Sequence, residues 1–484
     1  MRILYASPEV VPFSKTGGLA DVAGSLPVEI ARAGHQVVVA APLHQTVDRA
    51  GSGVAASGKT ALVPVAGRME PAEIFEAPLA GAPAGSYVVL IGSPRYFDRK
   101  GIYGDAGGDY PDNAERFAFF SRAVLEAAKA VGFRPDIVHG NDWQTGPAFP
   151  HLKRTYAFDP FFSGVRAVFT IHNIGYQGLF DPGTMETLML PWELYHYQAL
   201  EFWGKVSFLK AGIVFADAVT TVSPRYAREI RTEEFGCGLQ GVLEEKRDRV
   251  FGFLNGADYT KWDPATDRLI AKNYSAANMS GKAGCKADLQ AAFGLPVSDV
   301  PVIGMVSRLA DHKGFGLIAD AGAKIASLRC QLVVLGIGDR KYRDCLSALK
   351  DKRPDQVGLS LTFDDALAHK IEAGSDVFLM PSRYEPCGLN QMYSLRYGTI
   401  PIVHAVGGLD DAVEDYDPKT GNGTGFKFGE YAPDALIGAV KRALNVYRNK
   451  TAWEALVKRA MACDFSWTAS ARKYVELYER LHKA

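Results

Sequence analysis

The sequence predicts an α/β protein with two doubly wound halves, each a largely parallel β-sheet covered by helices. Three observations support this fold class. Short runs of apolar and β-branched residues alternate with longer helical patterns, as in successive βαβ units. Several glycines fall at the turns between predicted strands and helices. The alternation pauses once, in mid-chain, and then resumes, which indicates two separate sheets.

The first half begins at the N-terminus with a buried strand. Its strands are apolar runs without strict alternation, so we expect a parallel sheet covered on both faces. The predicted strands are Ile3–Ser7, Gln36–Ala41, Tyr87–Ile91, Asp136–His139, Ala167–His172, Ala218–Val222 and Val250–Leu254. The predicted helices are Leu19–Arg32, Asn113–Ala130, Lys205–Ala216 and Pro224–Thr232.

A segment rich in turn formers, Asn255–Gly284, separates the halves and is interpreted as an interdomain linker. The strands predicted after it are Val302–Ser307, Gln331–Leu335, Leu359–Phe363, Val377–Pro381, Ile400–Val403 and Gly425–Phe428. The helices predicted after it are Phe315–Ser327, Arg340–Asp351, Asp365–Ala373, Leu389–Tyr397, Ala432–Tyr447, Trp453–Cys463 and Ala469–Leu481. We therefore expect domains at 1–260 and 261–455, with 456–484 crossing back to the first. Ligands would bind in a cleft at the carboxyl ends of both sheets.

Composition restricts the function classes. The 484 residues include 54 Lys+Arg and 54 Asp+Glu, a formal net charge of +0. Bulk charge therefore does not attract nucleic acid or an anionic membrane, and any anion site must be local. No apolar run approaches the ~20 residues of a spanning helix, and the N-terminus does not resemble a signal peptide. The six cysteines form no CxxC pair, so a cytoplasmic protein without a disulfide framework or zinc site is expected.

The segment Ser14–Pro27, SKTGGLADVAGSLP, follows the first predicted strand. Gly17 and Gly18 let the backbone approach a ligand at the start of a helix, where unpaired N–H groups favour anions. Lys15 adds a positive charge. The alternative is a tight turn with a solvated lysine. The fingerprint G-x-G-x-x-G is absent here, which disfavours a nicotinamide dinucleotide.

Two loops of the second half carry charged side chains. Arg308 and Lys313 follow the strand that begins at Val302, and such cations suit a diphosphate. Glu385 lies between a strand and a helix, where a carboxylate can bind sugar hydroxyls or stabilise positive charge. The alternatives are two surface cations and a helix-dipole acid. Cys387 is interpreted as a packed residue.

Two further loops place polar groups after strands of the first half. Asp142 and His172 follow predicted strands and would line the same cleft, although a lone histidine is more often structural. Trp192 and Phe202-Trp203 are predicted to be core or domain-interface aromatics. Lys153-Arg154 is predicted to be solvated surface.

One internal similarity supports twin halves. Gly17-Gly18-Leu19 of the first half and Gly407-Gly408-Leu409 of the second each lie where a helix should start. We name them the first and second Gly-Gly turns.

Together these segments resemble the bacterial glycogen synthase and plant starch synthase family. The resemblance covers nearly the whole chain. KTGGL, VTTVSP and EPCGL in this order are specific, and FTIHNIGYQG, FLNGAD, SRLADHKG and AVGGLDDAV support them. The resemblance implies a GT-B fold of two Rossmann-like domains and a retaining α-1,4-glucosyltransferase. ADP-glucose would be the donor and an α-glucan the acceptor, with no metal and no cofactor.

The resemblance also implies residue roles. Arg308 and Lys313 would neutralise the leaving diphosphate, and Glu385 would hold the donor glucose and stabilise charge at its anomeric carbon. Asp142 and His172 would line the donor-sugar and acceptor side. Other donor-binding residues would be Lys15, Gly17, Gly18, Asp21, Asn255, Cys387, Gly388, Leu389, Gly407 and Gly408.

Some positions depart from the family pattern. Val406 replaces the usual threonine before the second Gly-Gly turn, which loses a hydroxyl, and His312 replaces a frequent glutamine. Asp410 puts a negative charge in the helix that follows this turn, which would weaken donor binding or change nucleotide preference.

Three alternatives remain open at this point. The same fold can use UDP-glucose or a small sugar acceptor. A glucan-binding protein can keep the fold without turnover, although Lys15, Arg308, Lys313 and Glu385 are all present. A phosphorylase would need a lysine that carries pyridoxal phosphate. Spacing along the chain does not separate double displacement from front-face retention.

Overall fold

The computed structural model describes residues 1–483, which form two compact units. Unit 1 comprises Met1–Val222, Ala227–Gly256 and the C-terminal residues from Trp467, and unit 2 comprises Ser223–Tyr226 and Ala257–Ser466. Each unit has its own apolar core.

The strands of the first 256 residues are β1 (Arg2–Ala6), β2 (Gln36–Pro42), β3 (Ala55–Val65), β4 (Arg68–Pro78), β5 (Tyr87–Gly92), β6 (Gly104–Asp105), β7 (Gly108–Asp109), β8 (Ile137–Asn141), β9 (Arg166–Ile171), β10 (Leu179–Phe180), β11 (Glu201–Phe202), β12 (Lys205–Ser207), β13 (Ala218–Thr221) and β14 (Val250–Gly252). The helices are α1 (Gly18–Arg32), α2 (Pro94–Phe97), α3 (Asn113–Val131), α4 (Ala148–Pro150), α5 (Thr184–Leu188), α6 (Phe208–Phe215), α7 (Pro224–Glu229) and α8 (Gln240–Glu245).

Nine of these strands form the main sheet of unit 1, in the order β14-β13-β9-β8-β1-β2-β5-β4-β3. Pairing is parallel from β14 to β5, but β4 pairs antiparallel with β5 and with β3. Strands β3 and β4 were not predicted. Most side chains of β3 are exposed at this sheet edge, so no buried apolar run marks the strand.

The strands of unit 2 are β15 (Val302–Val306), β16 (Gln331–Leu335), β17 (Val357–Ser360), β18 (Val377–Met380), β19 (Ile400–His404) and β20 (Phe426–Phe428). Its helices are α9 (Ser280–Ala292), α10 (Phe315–Ser327), α11 (Arg340–Lys352), α12 (Asp365–Gly374), α13 (Asn390–Arg396), α14 (Gly407–Ala412), α15 (Pro433–Arg448) and α16 (Lys450–Met461). The strands form a six-stranded sheet in the order β17-β16-β15-β18-β19-β20, with parallel pairing throughout.

The predicted linker Asn255–Gly284 is largely part of unit 2, which begins at Ala257. The Trp262 ring stacks on His369, with centroids 3.7 Å apart, and on Tyr393 at 4.3 Å. Asp267 accepts hydrogen bonds from His369 Nδ1 at 2.7 Å and from the Tyr397 hydroxyl at 2.6 Å. The turn formers predicted an interdomain linker. The side chains of Trp262 and Asp267 instead pack and hydrogen-bond this segment against α12 and α13. The segment ends in α9, which was also missed.

The last helix, α17 (Trp467–Lys483), belongs to unit 1. Its Thr468 hydroxyl donates to Glu29 of α1 at 2.7 Å, and its Tyr478 hydroxyl lies 2.5 Å from His139 Nδ1 in β8. The helix predicted at Lys205–Ala216 begins instead at Phe208, because Lys205–Ser207 pairs as a strand with β10 and β11.

Candidate functional site

In unit 1, the residues singled out from the sequence follow the carboxyl ends of parallel strands of one sheet. Lys15 follows β1, Asp142 follows β8, His172 follows β9 and Asn255 follows β14. Carboxyl ends of parallel strands meet at one sheet edge, where ligands bind in open α/β folds. The fold therefore gathers these side chains along a single edge.

A buried acid that the sequence analysis missed organises the first Gly-Gly turn. Glu9 is 3% exposed, and its Oε2 accepts the backbone N–H groups of Thr16 and Gly17. Its Oε1 accepts the hydroxyls of Thr16 and Tyr103, each at 2.6 Å. No local pattern could reveal this role, since Tyr103 lies far along the chain. The Gly17 amide is therefore engaged with Glu9 in this structure.

Glycine at positions 17 and 18 is not required by packing or by backbone strain. Gly17 has an extended backbone, with φ of −151°. A Cβ added at either glycine would meet no heavy atom of the described residues within 4 Å. The Cβ positions of both glycines therefore face open space, at the start of α1.

Lys15 and Asp21 form an exposed ion pair beside this turn. Lys15 Nζ lies 2.8 Å from Asp21 Oδ1, and the side chains are 53% and 35% exposed. An exposed pair of this kind contributes little to stability. Its lysine can therefore exchange the carboxylate for an anionic ligand at small cost.

Asp142 and His172, which the sequence placed on one cleft wall, are hydrogen-bonded to each other. Asp142 Oδ1 accepts the backbone N–H of His172 at 2.7 Å. Burial raises the pKa of the Asp142 carboxyl to about 7, although the amides of His172 and Asn173 oppose the shift. Asp142 also has a positive φ of 55°, which is uncommon outside glycine and is often found at functional sites.

The hydrogen-bond network fixes the protonation of the His172 ring. Burial lowers its pKa to about 3, so the imidazole is neutral near pH 7. Asn141 Nδ2 donates to the Ala6 carbonyl at 2.9 Å, which leaves Asn141 Oδ1 to accept from His172 Nε2 at 2.9 Å. The proton is thus on Nε2.

Asn255 supplies a buried polar atom at the same sheet edge. The residue is 9% exposed, and its Oδ1 has no hydrogen-bond partner within residues 1–483. Buried acceptors are nearly always paired. This oxygen is therefore suited to a donor group of a ligand.

In unit 2, the structure brings Lys313 and Glu385 into direct contact. Lys313 ends a 3₁₀ turn that follows β15, and Glu385 follows β18. Lys313 Nζ lies 2.6 Å from Glu385 Oε2, with side chains 22% and 10% exposed. Ser382 Oγ donates to the same oxygen at 3.2 Å. Gly314 permits the approach, because its φ is +84° and a Cβ there would lie 2.0 Å from the Pro381 carbonyl oxygen.

Arg308 and His312 add to the positive character of this loop. Arg308 is exposed and has no carboxylate partner in the described part of the chain. The pKa of His312 is lowered by burial and by the charges of Lys313 and Arg308. The loop thus presents more positive charge than Glu385 compensates.

The second Gly-Gly turn packs directly against the backbone of Glu385–Leu389. The Gly408 N–H donates to the carbonyls of Glu385 and Pro386, at 3.2 and 3.1 Å, so this amide is engaged within the protein. A Cβ at Gly407 or Gly408 would lie 2.0 or 2.1 Å from a backbone oxygen of the segment. Cys387 is buried within it, and Leu389 is the cap residue of α13.

Gln391, which the sequence analysis did not single out, completes this loop. Its Nε2 donates to the carbonyls of Cys387 and Gly388, at 2.9 and 3.0 Å. Gly388 has a φ of +71°, and a Cβ there would lie 2.5 Å from Gln391 Oε1. Gln391 and the second Gly-Gly turn together hold the backbone that carries Glu385.

Two departures from the family pattern have structural explanations. Asp410 Oδ1 lies 2.7 Å from Lys427 Nζ, and Arg225 Nη1 lies 3.9 Å from Asp410 Oδ2. The negative charge expected to disturb this turn is therefore compensated by two cations. Val406 is 3% exposed, so its side chain belongs to the packed interior.

No group of three or more His, Cys, Asp or Glu side chains suited to hold a metal ion occurs within residues 1–483. No helix in this described range is both long enough and apolar enough to cross a lipid bilayer.

Comparisons with known proteins agree with this geometry. Residues 2–245 match the family model "Starch synthase catalytic domain", and residues 289–456 match "Glycosyl transferases group 1". The glycogen synthase of Koribacter versatilis (strain Ellin345) is 50% identical over 481 residues, covering 99% of this chain and 98% of the relative. That of Anaeromyxobacter dehalogenans (strain 2CP-C) is 48% identical over 483 residues, covering 99% and 100%.

Among solved structures, the catalytic domain of starch synthase IV from Arabidopsis thaliana, bound to ADP and acarbose, is similar throughout. It superposes with a TM-score of 0.89 at 34% identity and covers 100% of this chain and 99% of that chain. With the largely parallel sheet of each unit and the Lys313–Glu385 contact, these matches show that the chain belongs to the glycogen synthase and starch synthase family of glycosyltransferases, with the two-domain GT-B fold.

Proposed function

We propose that the chain transfers glucose from ADP-glucose to the non-reducing end of an α-1,4-glucan, with retention of anomeric configuration. The observation that carries the proposal is the Lys313–Glu385 contact, at 2.6 Å, in a loop where Arg308 has no carboxylate partner. The relatives named glycogen synthase and the starch synthase bound to ADP and acarbose support the same substrates.

The cations of unit 2 would act on the leaving group. Negative charge grows on the departing diphosphate as the glycosidic bond breaks. Arg308 and Lys313 are fixed cations that stabilise this charge without reorganising. The guanidinium of Arg308 can also bind two phosphate oxygens at once.

Glu385 would act on the sugar. Glycosyl transfer passes through an oxocarbenium-like state with positive charge at the anomeric carbon. Glu385 as a whole residue is 8% exposed, and the second Gly-Gly turn and Gln391 hold its backbone. A buried, oriented carboxylate stabilises developing positive charge more strongly than a solvated one.

Unit 1 would contribute Lys15, Asp21, Asp142, His172 and Asn255 to binding of the sugar substrates, with the first Gly-Gly turn admitting a ligand close to the backbone. Glycosyl hydroxyls are hydrogen-bond donors and acceptors, and the buried Asn255 Oδ1 accepts from one. His172, with its proton on Nε2, is neutral and does not compete with the cations for phosphate. We assign unit 2 as the nucleotide-sugar-binding domain and unit 1 as the acceptor-side domain.

We further propose that the protein acts in the cytoplasm. All six cysteines are free thiols in the structure, as is usual in a reducing compartment.

The test is transfer of labelled glucose onto glycogen, with ADP-glucose and UDP-glucose compared side by side and no metal added. We expect incorporation from ADP-glucose in a form that an α-1,4-specific amylase releases. Incorporation from UDP-glucose alone would contradict the donor assignment. No incorporation from either donor, by folded protein that binds glycogen, would favour the glucan-binding alternative.

A second measurement tests the leaving-group cations. Arg308→Ala and Lys313→Ala should each weaken ADP binding about tenfold to a hundredfold, since a charge-assisted contact contributes about 1.5–3 kcal/mol. Arg340→Ala is the matched control, because Arg340 is an exposed arginine of the same unit. Unchanged ADP affinity in both test variants would remove these cations from the donor site.

A further inference from the structure

Two adjoining cavities of unit 1 lie along α6, and the first of them opens at the opposite end of the sheet from the residues discussed above. Asp217 immediately precedes β13 and Arg249 immediately precedes β14, so the first cavity opens at the amino ends of these strands. Its volume is about 380 Å³. The second cavity has a volume of about 480 Å³ and shares Gln198, Val214 and Lys246 with the first.

The first cavity is strongly cationic. Lys153, Arg154, Lys246 and Arg249 line it, and Asp217 is the one carboxylate among its lining residues. Asp217 Oδ2 is already engaged by Lys153 Nζ at 2.6 Å and by the Ala167 N–H at 2.7 Å. The other three cations form no salt bridge within residues 1–483, although the charges of Glu245 and Asp217 act on Lys246. In a chain of zero formal net charge, this is a local concentration of positive charge.

Lys246 is held at the junction of the two cavities. Its Nζ donates to the carbonyl of Val214, near the end of α6, at 2.9 Å, which leaves two ammonium protons for other acceptors. Burial and the neighbouring charge of Arg249 lower the pKa of Lys246. Two like charges held together in this way favour an anion between them.

The backbone that carries Lys153 and Arg154 is itself unusual. Residues His151–Thr155 form a π-helix, a rare conformation that occurs frequently at functional sites. Arg154 is exposed, as predicted, and Lys153 is half-buried beside Asp217; both residues also line the first cavity.

The second cavity is lined by aromatic rings. Tyr197, Phe202 and Trp203 contribute to its wall. Trp203 is 83% exposed and Tyr197 is 71% exposed, so of the two predicted alternatives, core or domain-interface aromatic, the core alternative is wrong for Trp203. Trp203 and Gly204 form the two-residue turn between β11 and β12, with φ of 53° and 74°. Such turns favour Asn-Gly. A bulky residue with a positive φ is conformationally strained, and the exposed Trp203 ring offsets little of that strain by packing.

Polar acceptors complete the second cavity. The carboxylates of Glu201 and Glu245 and the amide of Gln198 line it. These groups accept hydrogen bonds from hydroxyls, and the two carboxylates balance the charges of Lys210 and Lys246, which also line this cavity. The two cavities are therefore chemically different, one suited to an anion and the other to a hydroxylated ring.

We infer that the two cavities bind a sugar phosphate, with the phosphate on Arg154, Lys246 and Arg249 and the sugar ring against Trp203 and Tyr197. A neutral glucan would leave the three cations unexplained, and inorganic phosphate would leave the aromatic wall unexplained. Each volume lies within the range of small-molecule sites. The inference does not depend on the proposed transferase chemistry.

The experiment is isothermal titration of the full-length protein with glucose 6-phosphate, inorganic phosphate, maltohexaose and AMP. We expect glucose 6-phosphate to bind most tightly. Arg249→Ala and Lys246→Ala should each raise its dissociation constant about tenfold or more, and Trp203→Ala about fivefold. Arg247→Ala and Trp192→Ala are matched controls that should change it less than about twofold. Arg247 is exposed and close in sequence, Trp192 is half exposed, and neither lines the cavities.

Several results would overturn the inference. Absence of glucose 6-phosphate binding at millimolar concentration is the simplest. Equal affinity for inorganic phosphate or AMP would contradict the sugar-phosphate assignment, and tighter binding of maltohexaose would favour a glucan platform. Equal effects of Arg249→Ala and Arg247→Ala would place the ligand elsewhere. Circular dichroism of each variant shows whether a loss of binding reflects misfolding.

Discussion

The two Gly-Gly turns have the same sequence pattern but keep their glycines for different reasons. At the second turn, a Cβ on Gly407 or Gly408 would lie 2.0 or 2.1 Å from a backbone oxygen, and Gly407 has a φ of +46°. At the first turn, a Cβ on Gly17 or Gly18 would meet no described heavy atom within 4 Å. Glycine is thus required by packing in unit 2, whereas in unit 1 it leaves room for a ligand.

The acid beside each turn is also used in opposite ways. At the first turn, the Glu9 side chain accepts the backbone amides of Thr16 and Gly17. At the second, the Glu385 backbone carbonyl accepts the Gly408 amide, and its carboxylate contacts Lys313. The Glu9 side chain therefore orients the backbone of the first turn, whereas the second turn orients the backbone of Glu385. A shared motif does not imply a shared role.

The largest expected effect is the loss of turnover in Glu385→Gln. If the carboxylate stabilises the transition state, turnover should fall about 1,000-fold, or about 4 kcal/mol. The second turn should survive, since it depends on the Glu385 backbone. Because the Lys313 pair is largely buried, we expect the free energy of unfolding to fall by no more than about 1.5–3 kcal/mol. Turnover is measured with labelled glucose and stability by urea unfolding. Near-normal turnover would remove the Glu385 carboxylate from the mechanism.

Gly408→Ala should destabilise unit 2 by about 3 kcal/mol, because the new methyl group overpacks the backbone of Cys387. Turnover should also fall, since the same segment carries Glu385. Gly438→Ala is the matched control, because a Cβ at Gly438 in α15 would meet nothing within 4 Å of the described atoms. Urea unfolding measures both. Equal stability of the two variants would show that packing does not require this glycine.

Glu9→Gln should weaken the first turn by about 2 kcal/mol, because one hydrogen bond to a charged group contributes about 1.5–3 kcal/mol and the glutamine oxygen can still accept others. The Michaelis constant for the donor should rise as Lys15 loses its position. Thr16→Val, which removes one hydroxyl donor to Glu9, should have a smaller effect of about 1 kcal/mol. A loss of stability with unchanged kinetics would limit Glu9 to a structural role.

The free energy of unfolding should depend on pH through Asp142, whose carboxyl is affected by the charge of Glu9 at the first turn. Its folded pKa of about 7 lies above the ordinary value of 3.8. The folded state therefore keeps a proton that the unfolded state loses, and stability falls from about pH 4 to about pH 7. The slope is at most about 1.4 kcal/mol per pH unit. Asp142→Asn should lack this slope in urea unfolding across that range. Parallel stability profiles of the two proteins would contradict the shift.

The smallest expected change in stability is that of Gly18→Ala. Alanine favours the first turn of α1, so stability should rise by up to about 0.5 kcal/mol. If a ligand approaches this backbone, the donor Michaelis constant should rise about threefold. Michaelis constants and thermal melting are compared with those of wild-type protein. A large loss of stability would show that packing requires glycine at the first turn, as it does at the second.

Much of the fold could be predicted because apolar periodicity is a local signal. The helix Phe315–Ser327 and the strand Gln331–Leu335 have the predicted bounds. The failures have local causes. β3 is an exposed edge strand, and α9 contains few apolar residues. The candidate residues were found because strand-to-helix turns mark the carboxyl edge of a parallel sheet, but Glu9 and Gln391 were missed.

The sequence by itself determined the family, the alternation of strands and helices, and the turns that carry Lys15, Arg308, Glu385 and the two glycine pairs. Tertiary structure alone decided which side chains meet. Lys313 contacts Glu385 across 72 positions and Glu9 contacts Tyr103 across 94. It also exposed Trp203 in a cavity that adjoins a cluster of cations. Periodicity is a property of neighbouring residues, whereas these contacts depend on strand order and loop path.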